Sequence, residues 1–336
     1  MISPVRFAII GHGNIGQRHA HHIQNTPGAE LTAVCDVDES KQKGLPDSIP
    51  FFLSVEEMLA KHLADVVCIC SPNYLHESHS IQALKSGAHA VVEKPMAIST
   101  ASCDRMIETA MLCDKLIFAV KQNRYNPPVQ AVKKLIESHG LGRLFMVQVN
   151  CFWNRGDDYY AQSPWRGKKR LDGGCLFTQF SHFVDILYYL AGPMVSAKGL
   201  IHNYAHTHNT EFEDTGTFTM KAANGAVVSF SFTTCAYERN MEGAITLFGE
   251  KGSVKIGGQY LNTIEYQQLE GGDLPAINIT AKSNDYGTYQ GSMSNHDAMI
   301  QNVVDVIQHQ YPIMVSAAEG REVVRIIEMM YAGAEK

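Results

Sequence analysis

Three groups of residues in this chain have types and spacings that could do chemistry. The first is Gly11-His-Gly13-Asn14-Ile15-Gly16, which directly follows the apolar run Val5–Ile10 and opens a helical stretch. In a strand–turn–helix setting Gly11 permits the tight turn, Gly13 lets the backbone approach a pyrophosphate, and Gly16 lets helix and strand pack closely. Free N–H groups at the helix start then face the phosphates. Asp36 ends the next apolar run, about 20 residues further on, where a carboxylate accepts from both ribose hydroxyls and repels a 2′-phosphate. No Arg follows it; Val37, Asp38 and Glu39 do. The pattern predicts NAD rather than NADP.

The second group is Ser71-Pro72-Asn73 and Glu93-Lys94-Pro95, which follow two further apolar runs. Ligands bind at the carboxyl ends of parallel strands. Lys94 is there either the ion-pair partner of a carboxylate such as Glu93 or an amine that stabilises negative charge on a reacting oxygen. The third is His182, inside the apolar helical stretch FTQFSHFVDILYYL. It reads either as a core histidine or as a general base. Asp185 reads as structural first, with support of His182 as its other use.

These groups need elements to hold them. Short apolar runs at Val5–Ile10, 31–36, Phe51–Phe52, 65–70, His89–Val92 and 116–120 alternate with helical stretches, the pattern of a parallel sheet. Ser54-Val-Glu-Glu57 reads as a capping box, and 73–86 as a helix stopped by Gly87. After Pro127-Pro128 the texture changes. A helix over 129–138, a strand over 143–154 and one helix over 176–190, stopped by Gly192-Pro193, precede strands with Gly turns from 194 to about 267. Helices return at 295–309 and 317–332, and 269–284 is the candidate mobile loop. The expected architecture is α/β: a Rossmann domain over 1–122, then an α+β domain over 123–336 with a large, mostly antiparallel, open-faced sheet. The last helices could pack back on the first domain.

A chain of 336 residues exceeds what one core serves, so two domains are expected. A net charge of -6 gives no footprint for nucleic acid, although a local Arg/Lys cluster can still hold an anion. No apolar stretch is long enough to span a membrane, and the N-terminal segment lacks a signal-peptide pattern, so a cytoplasmic location is expected. The 8 cysteines form no CxxC pair and read as buried thiols. His202, His206 and His208 could pass for a metal cluster, but no carboxylate or cysteine pattern completes a zinc site, so alternating strand or loop histidines and no metal are expected. His19, His21 and His22 are placed on the flanks of the first helix, and Met-rich 326–330 in the core. Arg155, Arg166, Lys168, Lys169 and Arg170 form either a solvated basic loop or an anion site.

The whole pattern resembles the Gfo/Idh/MocA oxidoreductases: Gly11–Gly16, Cys70-Ser-Pro-Asn-Tyr-Leu-His76, Glu93-Lys-Pro95, Asn123-Arg-Tyr-Asn-Pro127, Trp165-Arg166, Gly173-Gly174 before His182 and Asp185, and Ser316-Ala-Ala-Glu-Gly320. Within that family Val120-Lys-Gln-Asn-Arg124, Cys151-Phe-Trp-Asn-Arg155, Tyr159-Tyr160, Glu213-Asp-Thr-Gly216 and Asn240-Met-Glu-Gly243 are most similar to WlbA-type enzymes, which oxidise the 3-hydroxyl of UDP-N-acetylglucosaminuronate in surface-polysaccharide synthesis. The resemblance implies Lys94 and His182 as catalytic residues. It adds His76, Glu93, Gln122, Trp165 and Arg166 to the cofactor contacts. For the substrate it suggests Asn123, Arg155, Lys168, Thr178, Gln179 and Asn240. It also implies a homodimer or homotetramer formed through the sheet.

One departure shapes the expected chemistry. Many family members carry Asp four residues before the active-site His, where this chain has Thr178. Thr does not take a proton from an alcohol at neutral pH, so proton transfer falls to His182 and Lys94. WlbA-type relatives also lack that Asp. The alternatives are a general inositol or hexose dehydrogenase, NAD-dependent glycoside cleavage through transient oxidation at C3, and a sugar-sensing regulator that uses the fold only for binding.

Overall fold

The computed structural model describes residues 3–275, 277, 283–285 and 290–335. The chain divides into two compact units, one of Met1–Val120 with His296–Val324 and one of Lys121–Asn295 with Arg325–Lys336. The division falls two residues before the expected 122/123 boundary, and segment 296–324 belongs to the first unit. No helix among the described residues is long and apolar enough to cross a membrane.

In the first unit six strands, β1 (Val5–Ile10), β2 (Ala29–Cys35), β3 (Phe51–Phe52), β4 (Val66–Ile69), β5 (His89–Val92) and β6 (Ile117–Ala119), form a parallel sheet in the order β3-β2-β1-β4-β5-β6. This is the dinucleotide-fold order, whose chain reversal lies between β1 and β4. β4 is buried throughout, and β1 and β5 at every position but Arg6 and His89, as a sheet covered on both faces requires. Helix α1 (Asn14–Asn25) buries Gly16, His19, Ala20 and Ile23, one stripe at helical spacing. In α2 (Val55–Leu59) the Ser54 hydroxyl accepts the Glu57 N–H, so the capping signal holds. Helices α3 (His76–Lys85) and α4 (Thr100–Leu112) complete the first pass, with a 3₁₀ turn at Asn73–Leu75 before α3.

The second unit begins with a 3₁₀ turn, Gln122–Tyr125, and α5 (Pro127–Glu137). After β7 (Leu144–Phe152) come short helices α6 (Asp157–Ala161), α7 (Lys169–Asp172) and α8 (Cys175–Thr178), then α9 (Ser181–Ala191). The single helix expected over 176–190 is therefore broken at Gln179-Phe180. Tertiary contacts explain the break: Gln179 bonds Arg155 and Tyr159, and Phe180 packs against Trp153 and Phe232. Gly192, at φ +81°, ends α9 as expected.

Strands β8 (Met194–His202), β9 (Thr215–Ala222), β10 (Val227–Thr233), β11 (Glu242–Gly249), β12 (Gly252–Gly257) and β13 (Thr263–Leu269) join β7 in an eight-stranded sheet, while β14 (Ser283–Asp285) and β15 (Gln290–Met293) pair separately. The eighth strand is β16 (Ala334–Glu335), parallel to β8; β7 and β10 are also parallel, and the remaining pairs are antiparallel. One sheet face carries the buried Phe218, Phe230, Phe232, Val147 and Val149. Exposed Phe145, Met146, Val227 and Phe248 lie elsewhere on its strands, with Met146 in register with both Val227 and Phe248. Of the expected loop 269–284, residues 276 and 278–282 lie outside the described residues; Leu269 closes β13 and Ser283 opens β14. Two helices lie between β15 and β16: α10 (His296–His309) in the first unit, and α11 (Ala317–Ala332), which contributes to both.

Candidate active site

The turn after β1 is shaped for a phosphate group. Gly11 has φ +92°, and a Cβ there would lie 2.7 Å from the Cys70 carbonyl oxygen. A Cβ on Gly16 would lie 2.0 Å from the Gly11 carbonyl oxygen. A Cβ on Gly13, which caps α1, would meet nothing within 4 Å. The outer glycines thus allow close packing, and the middle one borders open space at a helix N-terminus. Asp36, just past β2, accepts the His12 N–H at 2.6 Å and the Asp38 N–H at 3.0 Å, which fixes its carboxylate beside this turn. An open cradle at a helix start with an anchored carboxylate next to it fits a dinucleotide with a free adenosine ribose.

Ser71, Pro72 and Asn73 follow β4, as expected. His76 is buried beneath them; its ring nitrogens lie 2.8 Å from the Ser71 carbonyl and 2.7 Å from the Pro95 carbonyl, tying the ends of β4 and β5 together. Burial holds its pKa below the ordinary value, against the pull of these two contacts.

Glu93 is not chiefly the partner of the Lys94 amine. Its Oε1 lies 2.8 Å from His19 Nε2 and 3.5 Å from His296 Nε2, and its Oε2 accepts the Lys94 backbone N–H at 3.0 Å. Burial would raise this carboxyl, but the His19 hydrogen bond and the nearby His296 ring outweigh that and hold it well below the usual range. His19 is fully buried, which corrects its placement on a helix flank. The Lys94–Pro95 peptide is cis.

The second unit gathers Arg155, Gln179 and Asn240 into one buried network. Arg155 Nε donates to Gln179 Oε1 at 2.7 Å and Nη1 to Asn240 Oδ1 at 3.2 Å, with the guanidinium 4.9 Å from the Trp153 ring centre. Gln179 Nε2 donates to the Tyr159 hydroxyl at 2.5 Å, and Asn240 Nδ2 to the Tyr260 hydroxyl at 3.1 Å. Arg155 is thus no part of a solvated loop. Lys168 is: it pairs with Glu211 at the surface, each about half-exposed. Thr178 donates to the buried Asp172 carboxylate. Arg166 stacks on the Tyr159 ring at 4.1 Å, beside Trp165.

His182 is buried as the second residue of α9. Asp185, one turn on, binds Arg124 through bonds of 2.8 to 3.2 Å, the structural role expected first. Asn123 is buried, and among the described residues neither atom of its amide group has a partner. Gln122 donates to Ser292 at 2.8 Å, which leaves its buried Oε1 without one. Two unsatisfied amides on one short turn mark a place where a polar ligand could complete the bonding.

Tyr260 and the Arg124–Asp185 pairing escaped the sequence reading because their partners are distant in sequence. So did a cluster in which the buried His206 and Asp214 meet the exposed Cys235, a carboxylate and thiol that spacing alone did not supply. Six of the cysteines are buried, and burial pushes the thiols of Cys68, Cys70, Cys151 and Cys175 well up, as expected for inert core groups.

Residues 5–120 match the oxidoreductase family GFO/IDH/MocA, described as an NAD-binding Rossmann fold, and residues 129–255 match its C-terminal domain. The crystal structure of the WlbA dehydrogenase from Bordetella pertussis, in complex with NADH and UDP-GlcNAcA, is 32% identical; the likeness covers 98% of this chain and 96% of that one, with a TM-score of 0.87. The WlbA structure from Chromobacterium violaceum, with the same ligands, is 32% identical over 99% and 96%, with a TM-score of 0.86. The D-glucoside 3-dehydrogenase of Escherichia coli K12 is 28% identical over 194 residues, 56% of this chain and 55% of its own length, so the chain spans about half of that curated relative. With both domain matches in sequence order, the chain belongs to the Gfo/Idh/MocA family of NAD-binding oxidoreductases.

Proposed function

We propose that this protein oxidises a ring hydroxyl of a nucleotide-activated sugar, C3 of UDP-N-acetylglucosaminuronate or a similar UDP-sugar, with NAD. The supporting observation is the buried Arg155 network in the second unit. Arg155 spends Nε on Gln179 and Nη1 on Asn240, so what it offers a uronate carboxylate is a buried positive charge held in a fixed orientation. The relatives crystallised with NADH and UDP-GlcNAcA resemble this chain over both units.

NAD, when bound, supplies a two-electron acceptor for the carbinol carbon. The protein's own part is to move one proton and hold one charge. In this reading His182 takes the hydroxyl proton, and Lys94 stabilises negative charge developing on the oxygen. Glu93 fixes the backbone from which Lys94 projects. Asp36 selects the unphosphorylated ribose, and Asn123 and Gln122 offer their unsatisfied amides to ligand.

Purified protein given NAD and UDP-N-acetylglucosaminuronate should form NADH, followed by absorbance, with a 3-keto sugar as product. No turnover there, together with turnover of myo-inositol or a free hexose, would replace this reading with a general polyol dehydrogenase, which the D-glucoside relative favours. Copies of the chain are proposed to pair through Phe145, Met146, Val227 and Phe248, whose exposure leaves apolar area uncovered. Sedimentation of wild type against Met146→Asp checks it; identical mass would refute the pairing.

A further inference from the structure

The cluster around His206 lies within the second unit and uses none of the residues given a role in the proposed reaction. His206 and Asp214 are buried, and Cys235 is exposed. Their ligating atoms all lie within 4.8 Å of one another, with His206 Nδ1 at 3.1 Å from Asp214 Oδ2 and 4.0 Å from Cys235 Sγ. His206 Nε2 lies 2.7 Å from the Arg155 carbonyl oxygen. That carbonyl requires the ring proton on Nε2, so in the neutral imidazole Nδ1 points a lone pair at a carboxylate oxygen. Two lone pairs at this distance need a positive charge between them, either a proton or a metal ion. The Asp214 carboxylate is itself oriented by the Ala205 N–H at 2.7 Å and the Tyr204 N–H at 3.0 Å.

We propose that His206 Nδ1, the Asp214 carboxylate and the Cys235 thiolate bind a divalent cation of the zinc class, reached from solvent on the Cys235 side. Imidazole, carboxylate and thiolate are ligands such an ion takes at about 2.0 to 2.3 Å, and three protein ligands leave a fourth position for water. The donor separations here approach the edges of such a tetrahedron. The His206–carbonyl bond is the outer hydrogen bond that ligating histidines make, and it fixes the tautomer that ligation needs. On binding, Cys235 releases its thiol proton to solvent, and His206 gives up any proton on Nδ1.

Cobalt(II) is the probe. The full-length protein, first treated with chelator, should take up one cobalt per chain and show a thiolate-to-cobalt charge-transfer band that zinc abolishes by displacement. Cys235→Ser, at an exposed position, should retain the far-ultraviolet circular dichroism of wild type, lose the band and bind cobalt at least ~10-fold more weakly. Cys113→Ser, the other cysteine outside the core, should keep both band and affinity. A wild-type protein without the band, or a band that persists in Cys235→Ser, would overturn the proposal.

Discussion

His19 Nε2 lies 2.8 Å from Glu93 Oε1, with both side chains buried in the first unit, and the other carboxylate oxygen takes the Lys94 N–H. A side chain on α1 thereby anchors the residue that precedes the candidate catalytic lysine. Removing a hydrogen-bond donor from a buried carboxylate leaves that oxygen unsatisfied, at a cost of roughly 3 kcal/mol. His19→Ala should lower stability by about that amount in urea denaturation and reduce kcat. Wild-type stability would show that His296 alone suffices for Glu93.

Lys94 and His182 carry the proposed proton and charge chemistry. Lys94→Met and His182→Ala should each reduce kcat by roughly 10²- to 10⁴-fold, the range of general acid–base contributions. NADH affinity, read by fluorescence titration, should stay near wild type. Unchanged turnover in either variant would refute the role given to that residue.

Arg155 donates to both Gln179 and Asn240 from one planar group, a geometry lysine cannot reproduce. Arg155→Lys should raise the KM for the UDP-uronate by roughly 10-fold or more, because the bonds to Gln179 and Asn240 that orient the charge are lost, and leave the KM for NAD in place. A variant whose KM rises equally for a neutral hexose would argue against carboxylate recognition by this guanidinium.

The pH dependence of stability has a named contributor in His22. Burial, aided by the neighbouring His296, lowers its pKa to about 4 from 6.5. Between those values the unfolded chain binds a proton that the folded chain does not, so stability falls as pH drops from about 6.5 toward 4. Discounted for partial exposure, the contribution is roughly 1–2 kcal/mol. His22→Gln should flatten the urea-midpoint profile in that window; equal slopes in the two proteins would exclude His22 as its source.

Much of the first unit was legible because its signals are local. The glycine turn, Asp36 and the apolar runs each declare themselves within a few residues, and the strands fall within about one residue of expectation at most ends. Signals that depend on distant partners were not legible. The helix break at Gln179-Phe180 arises from Arg155 and Trp153, which no periodicity reveals. His19 reads as a surface helix residue until positions 93 and 296 are brought beside it. Likewise His206 was grouped with His202 and His208, its neighbours in sequence, whereas the fold groups it with Asp214 and Cys235.

Because 296–324 completes the first unit, that unit is not one continuous stretch of chain. A gene fragment that stops after β6 would encode a sheet and α1 without α10, leaving Glu93 with only one of its two imidazoles. An exchange of cofactor units between relatives therefore requires crossovers near 120, 295 and 324, and a hybrid made with a single junction would join halves that never shared a core.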